Sequence, residues 1–420
     1  MIVERNVVKS FIYLFLYKIF LDVVYIEFVY AKFNYMGFIL EFSLYKYIFS
    51  LCIFVLTYIT LPKKQDKPSL VFLQLHFIVM IIPMFTIYAF MNQPTIFLIM
   101  SIFIFILQCV FVRYFPNIQI RRIEQSKLIF YVIIIGMTLF VYTSMIKANG
   151  LPSLSSLNIM SVYEFRGKVT YPFLMAYFVN WQAKVINPFL IATSFLNENR
   201  IIFCISVILQ ILIYMITGHK AFLFIPIAIL LVVILIARFN FLKISSFIAS
   251  GATFILFILY KVTGTIILPS LFLRRLLFLP AYIKFIYYDF FLENQFLYFS
   301  AGSIGKLLGL SYPFDLPPAY LIGKIYFNNP NTGANTGYIA DAYANMGFGG
   351  MVLLGLVFAF VLKLIDSLSI KVGKNLTIGL TLFTILSLND SALLTTLLTG
   401  GLLFLIVMLY LYSNVKDKRI

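Results

Sequence analysis

The chain has little charge. Asp, Glu, Lys and Arg make up 11% of its 420 residues, where a soluble domain carries roughly a quarter. That shortage excludes a water-facing surface over most of its length. Acids are the scarcer sign, 15 against 32 Lys and Arg, for a net charge of +17. Histidine occurs twice, Trp once and Cys three times. Cys52, Cys109 and Cys204 all lie in apolar runs, without a CxxC or any metal-ligand spacing. They read as small buried hydrophobes, and no zinc or iron–sulfur site is expected. Period-2 alternation is missing, which excludes a transmembrane β-barrel. No repeat of fixed period is present either.

What is there is hydrophobic: 62% of the residues, with a mean hydropathy of +1.00. Apolar runs of about 20 residues follow one another, each long enough to cross a ~30 Å hydrocarbon core as a helix. A lone helix satisfies its own backbone in lipid. The expected fold class is therefore all-α: a polytopic membrane protein forming one integral membrane domain over 1–420. About 12 spans are expected, near 10–30, 42–61, 70–90, 95–114, 128–146, 178–196, 201–217, 221–237, 244–263, 346–366, 375–390 and 393–412. The first run carries Lys18, Asp22 and Glu27, is too long for a signal peptide and lacks an A-x-A site, so it reads as a retained span. Lys18 and Asp22, four apart, can neutralise each other, and all three groups should face protein rather than lipid.

Orientation follows from the basic residues of the short loops. Lys63, Lys64 and Lys67, then Arg113, Arg121, Arg122 and Lys127, then Arg238 and Lys243 fall on one side. The short connections at 91–94 and 390–392 hold no Lys or Arg. Both termini are thus expected in the cytoplasm. The net positive charge is mostly this topological signal, and nucleic-acid binding is not expected.

Two outer segments break the pattern, 147–177 and 264–345. Both are long and both are basic on the face where cations are not expected. Within the second, LFLRRLLFLPAYIKFIYYDFF reads as an amphipathic helix lying in the interface, and SAGSIGKLLGLSYPFDLPPAYLIGKIYF as turns and loop.

Several groups can carry chemistry. Arg274 and Arg275 with Arg166 suit a phosphate or diphosphate clamp, since each guanidinium donates two parallel bonds and stays charged. Headgroup contacts explain the same residues equally well. In TGHKAF, His219 suits a proton acceptor and Lys220 an anion partner; a polar helix–helix turn is the plainer reading. His76, alone in an apolar run, reads as a satisfied core residue. Outer acids are few: Glu164, Asp289, Glu293, Asp315, Asp341 and Asp390. Any can be a general base, and spacing selects none. Residues 328–350, NNPNTGANTGYIADAYANMGFGG, crowd amides, hydroxyls and glycines ahead of an apolar run. Such groups suit sugar hydroxyls or phosphate oxygens, and a helix starting near Asp341 or Asn345 would aim its positive end at them. A capped turn followed by glycine-mediated helix packing is the alternative.

Taken in order, VYEFRGK, WQAKVINPF, TGHKAF, RRLLFLPAY, ENQFLYFS and NTGYIADAYANMGFGG resemble the Wzy-type O-antigen polymerase (oligosaccharide repeat unit polymerase) family, over roughly residues 160 to 360. Residues 1–150 match only as apolar spans. The resemblance implies a fold related to membrane-embedded GT-C-like glycosyltransferases and O-antigen ligases. It implies a bacterial inner membrane location, with 147–177 and 264–345 as periplasmic loops. It implies transfer of a glycan from undecaprenyl diphosphate to a new lipid-linked oligosaccharide repeat unit, with no metal or other cofactor. Membrane lipids and a polysaccharide chain-length regulator are the other expected partners. Under this resemblance Arg166, Arg274 and Arg275 hold the leaving diphosphate, assisted by Lys220. His219, Glu164 or Asp341 orients or deprotonates the acceptor hydroxyl. Tyr163, Asn335, Thr336, Tyr343 and Asn345 line the glycan cavity. Two other readings remain open at this stage: a flippase for the same lipid-linked unit, and an O-antigen ligase.

Overall fold

A computed structural model describes residues 2–121, 123–152 and 169–416. Helix is the only regular secondary structure among these residues, with no strand. The main helices are α1 (Ile2–Val24), α2 (Leu44–Thr60), α3 (Pro68–Phe90), α4 (Thr95–Tyr114) and α5 (Ser126–Asn149). Helix α6 is composite, running Met175–Trp181, Gln182–Ile186 and Asn187–Leu196. Then come α7 (Arg200–Thr217), α8 (Ala221–Arg238), α9 (Phe241–Thr263), α10 (Leu279–Glu293) and α11 (Pro318–Tyr326). The chain closes with α12 (Tyr338–Val372), α13 (Lys374–Leu386) and α14 (Leu402–Lys416). Among the described residues, α3, α4, α5, α7, α8, α9 and α12 are the seven helices long and apolar enough to cross a membrane. The chain is a polytopic membrane protein.

Its core is built around α12. That helix packs against α4, α10 and α14, while α1 pairs with α9, α6 with α7, and α8 with α13. Helix α3 lies inside the bundle and is buried along nearly its whole length. Inside this apolar frame the buried charged side chains are paired. Lys18 bridges Asp22, whose oxygens also accept from Thr86 Oγ1 at 2.7 Å and Tyr47 OH at 3.2 Å. Asp366 accepts from the backbone N–H and hydroxyl of Ser69. Each buried charge thus finds a partner, as a low-dielectric interior requires.

Three π-helical segments share one cause. Phe77–Ile81, Gln182–Ile186 and Ser270–Phe278 each end two residues before a proline: Pro83, Pro188 and Pro280. Proline lacks an N–H, and its ring crowds the carbonyl four residues back. Widening the preceding turn moves that carbonyl aside.

Several expectations are corrected. The second half of LFLRRLLFLPAYIKFIYYDFF is not an amphipathic surface helix: α10 is buried on nearly every face, from Pro280 to Phe291, whereas the helical turns before it expose Leu271, Phe272, Arg275 and Leu276 and bury Leu273 and Leu277. The following stretch is not all loop, since Ser303–Leu307 and α11 are helical. The apolar run 393–412 is not one helix. It forms Leu393–Leu397, turns, and restarts at Leu402, because Gly400 and Gly401 (φ +84°) break it. Glu27 does not face the protein interior. It is 48% exposed and pairs with Lys261 at 2.6 Å. Cys52 and Cys204 are exposed on helix surfaces, and only Cys109 is buried. His76 is buried but half satisfied: Nε2 lies 3.2 Å from the Ile385 carbonyl, while Nδ1 has no partner.

Candidate functional site

The polar stretch at 328–350 resolves into two structures. Residues up to Gly337 run as loop, and α12 begins at Tyr338, with Asp341 in its first turn. The helix breaks at Met346 (φ −150°, ψ 26°) and Gly347 (φ 58°, ψ −149°) before running on to Val372. Gly347 holds a backbone conformation that only glycine adopts readily.

The break strands carbonyls that an unbroken helix would satisfy. The loop after α10 takes them up. Leu297 N–H donates to the Ala344 carbonyl at 2.9 Å and Tyr298 N–H to that of Asn345 at 3.1 Å. The Asn345 side chain completes the join, accepting from Phe299 N–H at 2.8 Å and donating to the Asp341 carbonyl at 2.8 Å. To reach these acceptors, Tyr298 (φ 45°) and Phe299 (φ 63°) both take left-handed backbone. Strain of this kind costs on the order of 1 kcal/mol per residue and clusters at functional sites.

Beneath this join lies the turn 387–390. Lys284 of α10 is fully buried. Its Nζ donates to the Asn389 carbonyl at 2.7 Å, Asn389 Oδ1 at 2.9 Å and the Pro280 carbonyl at 3.1 Å. Asn389 Nδ2 donates to the Leu276 carbonyl at 3.2 Å. Leu276 is four residues before Pro280, so the acceptor left over by the proline is the one Asn389 fills. Gly337 lies against the same turn, where a Cβ would run into the Leu388 and Asn389 carbonyls. The glycine of NTG is therefore a close-approach residue.

A cavity of about 500 Å³ opens over these joins. Asp341 and Asp390 line it, with Asn335, Thr336, Asn345, Tyr287, Ser391 and Thr395. Asn335 and Asp390 are exposed, Asp341 is half-buried, and Thr336 is buried with its hydroxyl unpaired. Tyr287 OH donates to the Ala334 carbonyl at 3.0 Å. The site therefore offers two carboxylates, amides, hydroxyls and an aromatic wall. Burial pushes the Lys284 ammonium down to about 7, with the Asp390 charge pulling it back up. Among the described residues, no group of three or more His, Cys, Asp or Glu is arranged to hold a metal.

The other expected site residues divide. Asn335, Thr336, Asp341 and Asn345 meet in the cavity. Tyr343 does not line it and packs among the rings of Phe97, Tyr288, Phe296 and Phe348. Arg274 is turned onto the short helical turns that follow α1, at residues 31–36. Its guanidinium sits 4.4 Å over the Phe33 ring, Nη1 lies 3.0 Å from Met36 Sδ, and Nε donates to Ser270 Oγ at 2.9 Å. Arg275 is exposed, and its charge acts on Asp390. Neither arginine lines the cavity. His219 and Lys220 occupy the α7–α8 turn, with the His219 ring 5.2 Å from that of Phe222. Tyr163, Glu164 and Arg166 lie outside the described residues.

Asp390 was among the outer acids of the sequence, with nothing in the spacing to select it; Ser391, Thr395 and Lys284 are the residues that site reasoning from the sequence passed over. One signal was available, the polar run SLNDSALLTT between two apolar runs. The chain matches no protein-family model, no curated protein and no solved structure.

Proposed function

We propose that the chain is a membrane glycosyltransferase of the O-antigen polymerase kind. It joins undecaprenyl-diphosphate-linked oligosaccharide units on the periplasmic side of a bacterial inner membrane. The observation that carries this reading is the pairing of Asp341 and Asp390 in one amide- and hydroxyl-lined cavity of about 500 Å³. A cavity of that size suits one or two sugar rings, and aromatic walls with few fixed polar groups are what such ligands need. The resemblance of NTGYIADAYANMGFGG to the polymerase element supports the same reading, and in the structure this stretch forms one wall of the cavity.

On this reading one carboxylate takes the proton of the acceptor hydroxyl as its oxygen attacks the anomeric carbon of the donor sugar. The bond from that carbon to the diphosphate oxygen breaks, and undecaprenyl diphosphate leaves. Arg275, exposed and close enough for its charge to act on Asp390, serves the departing diphosphate. About 12 spans, a GT-C-like arrangement, cytoplasmic termini and a chain-length-regulator partner complete the proposal.

The test is a deletion in the native host, complemented by wild type, Asp341→Asn or Asp390→Asn, followed by a lipopolysaccharide gel. Loss of the ladder to core plus one repeat unit, restored by wild type only, supports polymerisation. Bare core would overturn it in favour of a flippase or a ligase.

A further inference from the structure

A second cavity lies at the other end of α12. It has a volume of about 600 Å³, and its lining includes Val372, the last residue of that helix. Asp341 is in the first turn, so roughly 45 Å of helix, at 1.5 Å per residue, separates the two cavities. It is not an extension of the first.

Its chemistry also differs. Arg238 closes α8, and Lys374 opens α13, and both line the cavity. No Asp or Glu is among the lining residues. Glu198, next in sequence to the cavity rim, is exposed and does not line it. Among the described residues neither cation has an ion-pair partner. Asn375 and Asn197 line the same space with neutral polar side chains.

The rim is apolar. Ile234, Phe195 and Leu196 are 37%, 43% and 47% exposed. Ile234 belongs to a helix long and apolar enough to cross a membrane, so this side of the opening meets hydrocarbon. A cation at the end of such a helix, with a second from the start of α13 in the same cavity and an apolar side opening, matches an amphiphile with a phosphate head and acyl tails. A water-soluble anion has no use for that opening.

We propose that this cavity binds the headgroup of an anionic membrane phospholipid. Arg238 and Lys374 hold the phosphodiester. The acyl chains leave past Phe195, Leu196 and Ile234 into the bilayer. Basic pockets between membrane helices recognise lipid phosphates in this way. The proposal does not depend on the glycosyltransferase reading.

Native mass spectrometry of the full chain in detergent tests it, with phosphatidylglycerol or phosphatidylcholine of identical acyl chains. Wild type should retain phosphatidylglycerol about tenfold better than phosphatidylcholine, and R238Q/K374Q should lose about tenfold of that retention. K306Q/K324Q removes the same charge from exposed positions elsewhere and should retain the lipid as wild type does. R238K/K374R should keep most of it, which separates lost charge from lost folding. Equal retention by R238Q/K374Q, or equal retention of both lipids, overturns the proposal. So does displacement of phosphatidylglycerol by excess inorganic phosphate, which would make the cavity a site for a soluble anion.

Discussion

Lys284, entirely buried, donates to both oxygens of Asn389, at 2.7 Å to its carbonyl and 2.9 Å to its side chain. This pair fixes the turn from which Asp390 enters the cavity, and the same turn is the surface against which Gly337 packs. Lys284→Met leaves these two oxygens and the Pro280 carbonyl without their donor. Bare buried acceptors of this kind cost roughly 1–3 kcal/mol each. The variant should lose about 3 kcal/mol or more of stability. A melting temperature in detergent reads this out, and Lys284→Gln, which keeps a donor, should fall between Met and wild type.

The same lysine predicts a pH dependence. Its folded-state value, about 7, lies below the ordinary 10.5. Between those two values the unfolded chain binds the extra proton, so stability rises with pH across that window. Below about 7 both states are protonated and the contribution is flat. Melting curves of wild type from pH 7 to pH 9.5 should climb more steeply than those of Lys284→Met. Parallel curves would show that Lys284 does not titrate there.

The break in α12 predicts a contrast between two glycines. Gly347 sits at φ +58°, and a Cβ there would lie 3.1 Å from Phe296 Cζ. Gly347→Ala should cost about 1–3 kcal/mol. Gly349, two residues on, has open space where its Cβ would go. Gly349→Ala should be neutral or gain about 0.5–1 kcal/mol, since alanine is the better helix former. Thermal melts of the two variants decide it; equal losses would mean that the break is not held by Gly347.

Asp341 and Asp390 make the sharpest test of chemistry. General-base catalysis contributes on the order of 10² to 10⁴ in rate. Asparagine at the position of the base should lower glycan chain extension by that factor, with a melting temperature close to wild type. Asparagine at the other position should reduce it less. If both variants extend chains normally, the cavity is not the reaction centre.

Arg274 and Arg275 should separate, although they are neighbours in sequence. Arg274→Ala gives up the Phe33 ring, the Met36 contact and the Ser270 bond, and should destabilise by about 1–2 kcal/mol. Arg275→Ala removes an exposed side chain and should leave the melting temperature within about 0.5 kcal/mol equivalent. It should nonetheless slow chain extension if it serves the diphosphate. A normal rate for Arg275→Ala removes that role.

Composition by itself determined the class. Scarce charge and runs of about 20 apolar residues allow only helices in lipid, and the structure supplies them. The sequence also marked Asp341, Asn335, Thr336 and Asn345, because polar residues clustered between apolar runs stand out against their background. Local signals such as Lys18 four residues before Asp22 read correctly, since i, i+4 neighbours meet on any helix.

Tertiary structure alone decided the rest. Apolar periodicity is the same for a helix that lies in an interface and one buried in a bundle, so only the packing of its neighbours makes α10 a buried helix. Adjacent arginines point differently once a helix fixes them, and only packing shows that Arg274 meets Phe33 while Arg275 stays exposed. Asp390 reaches Asp341's cavity from about 50 residues away because Lys284, Asn389 and Gly337 hold two distant turns together. No spacing rule encodes that contact. It depends on a carbonyl left over by Pro280, a glycine that lets two backbones touch, and a buried ammonium whose acceptors exist only in the folded chain.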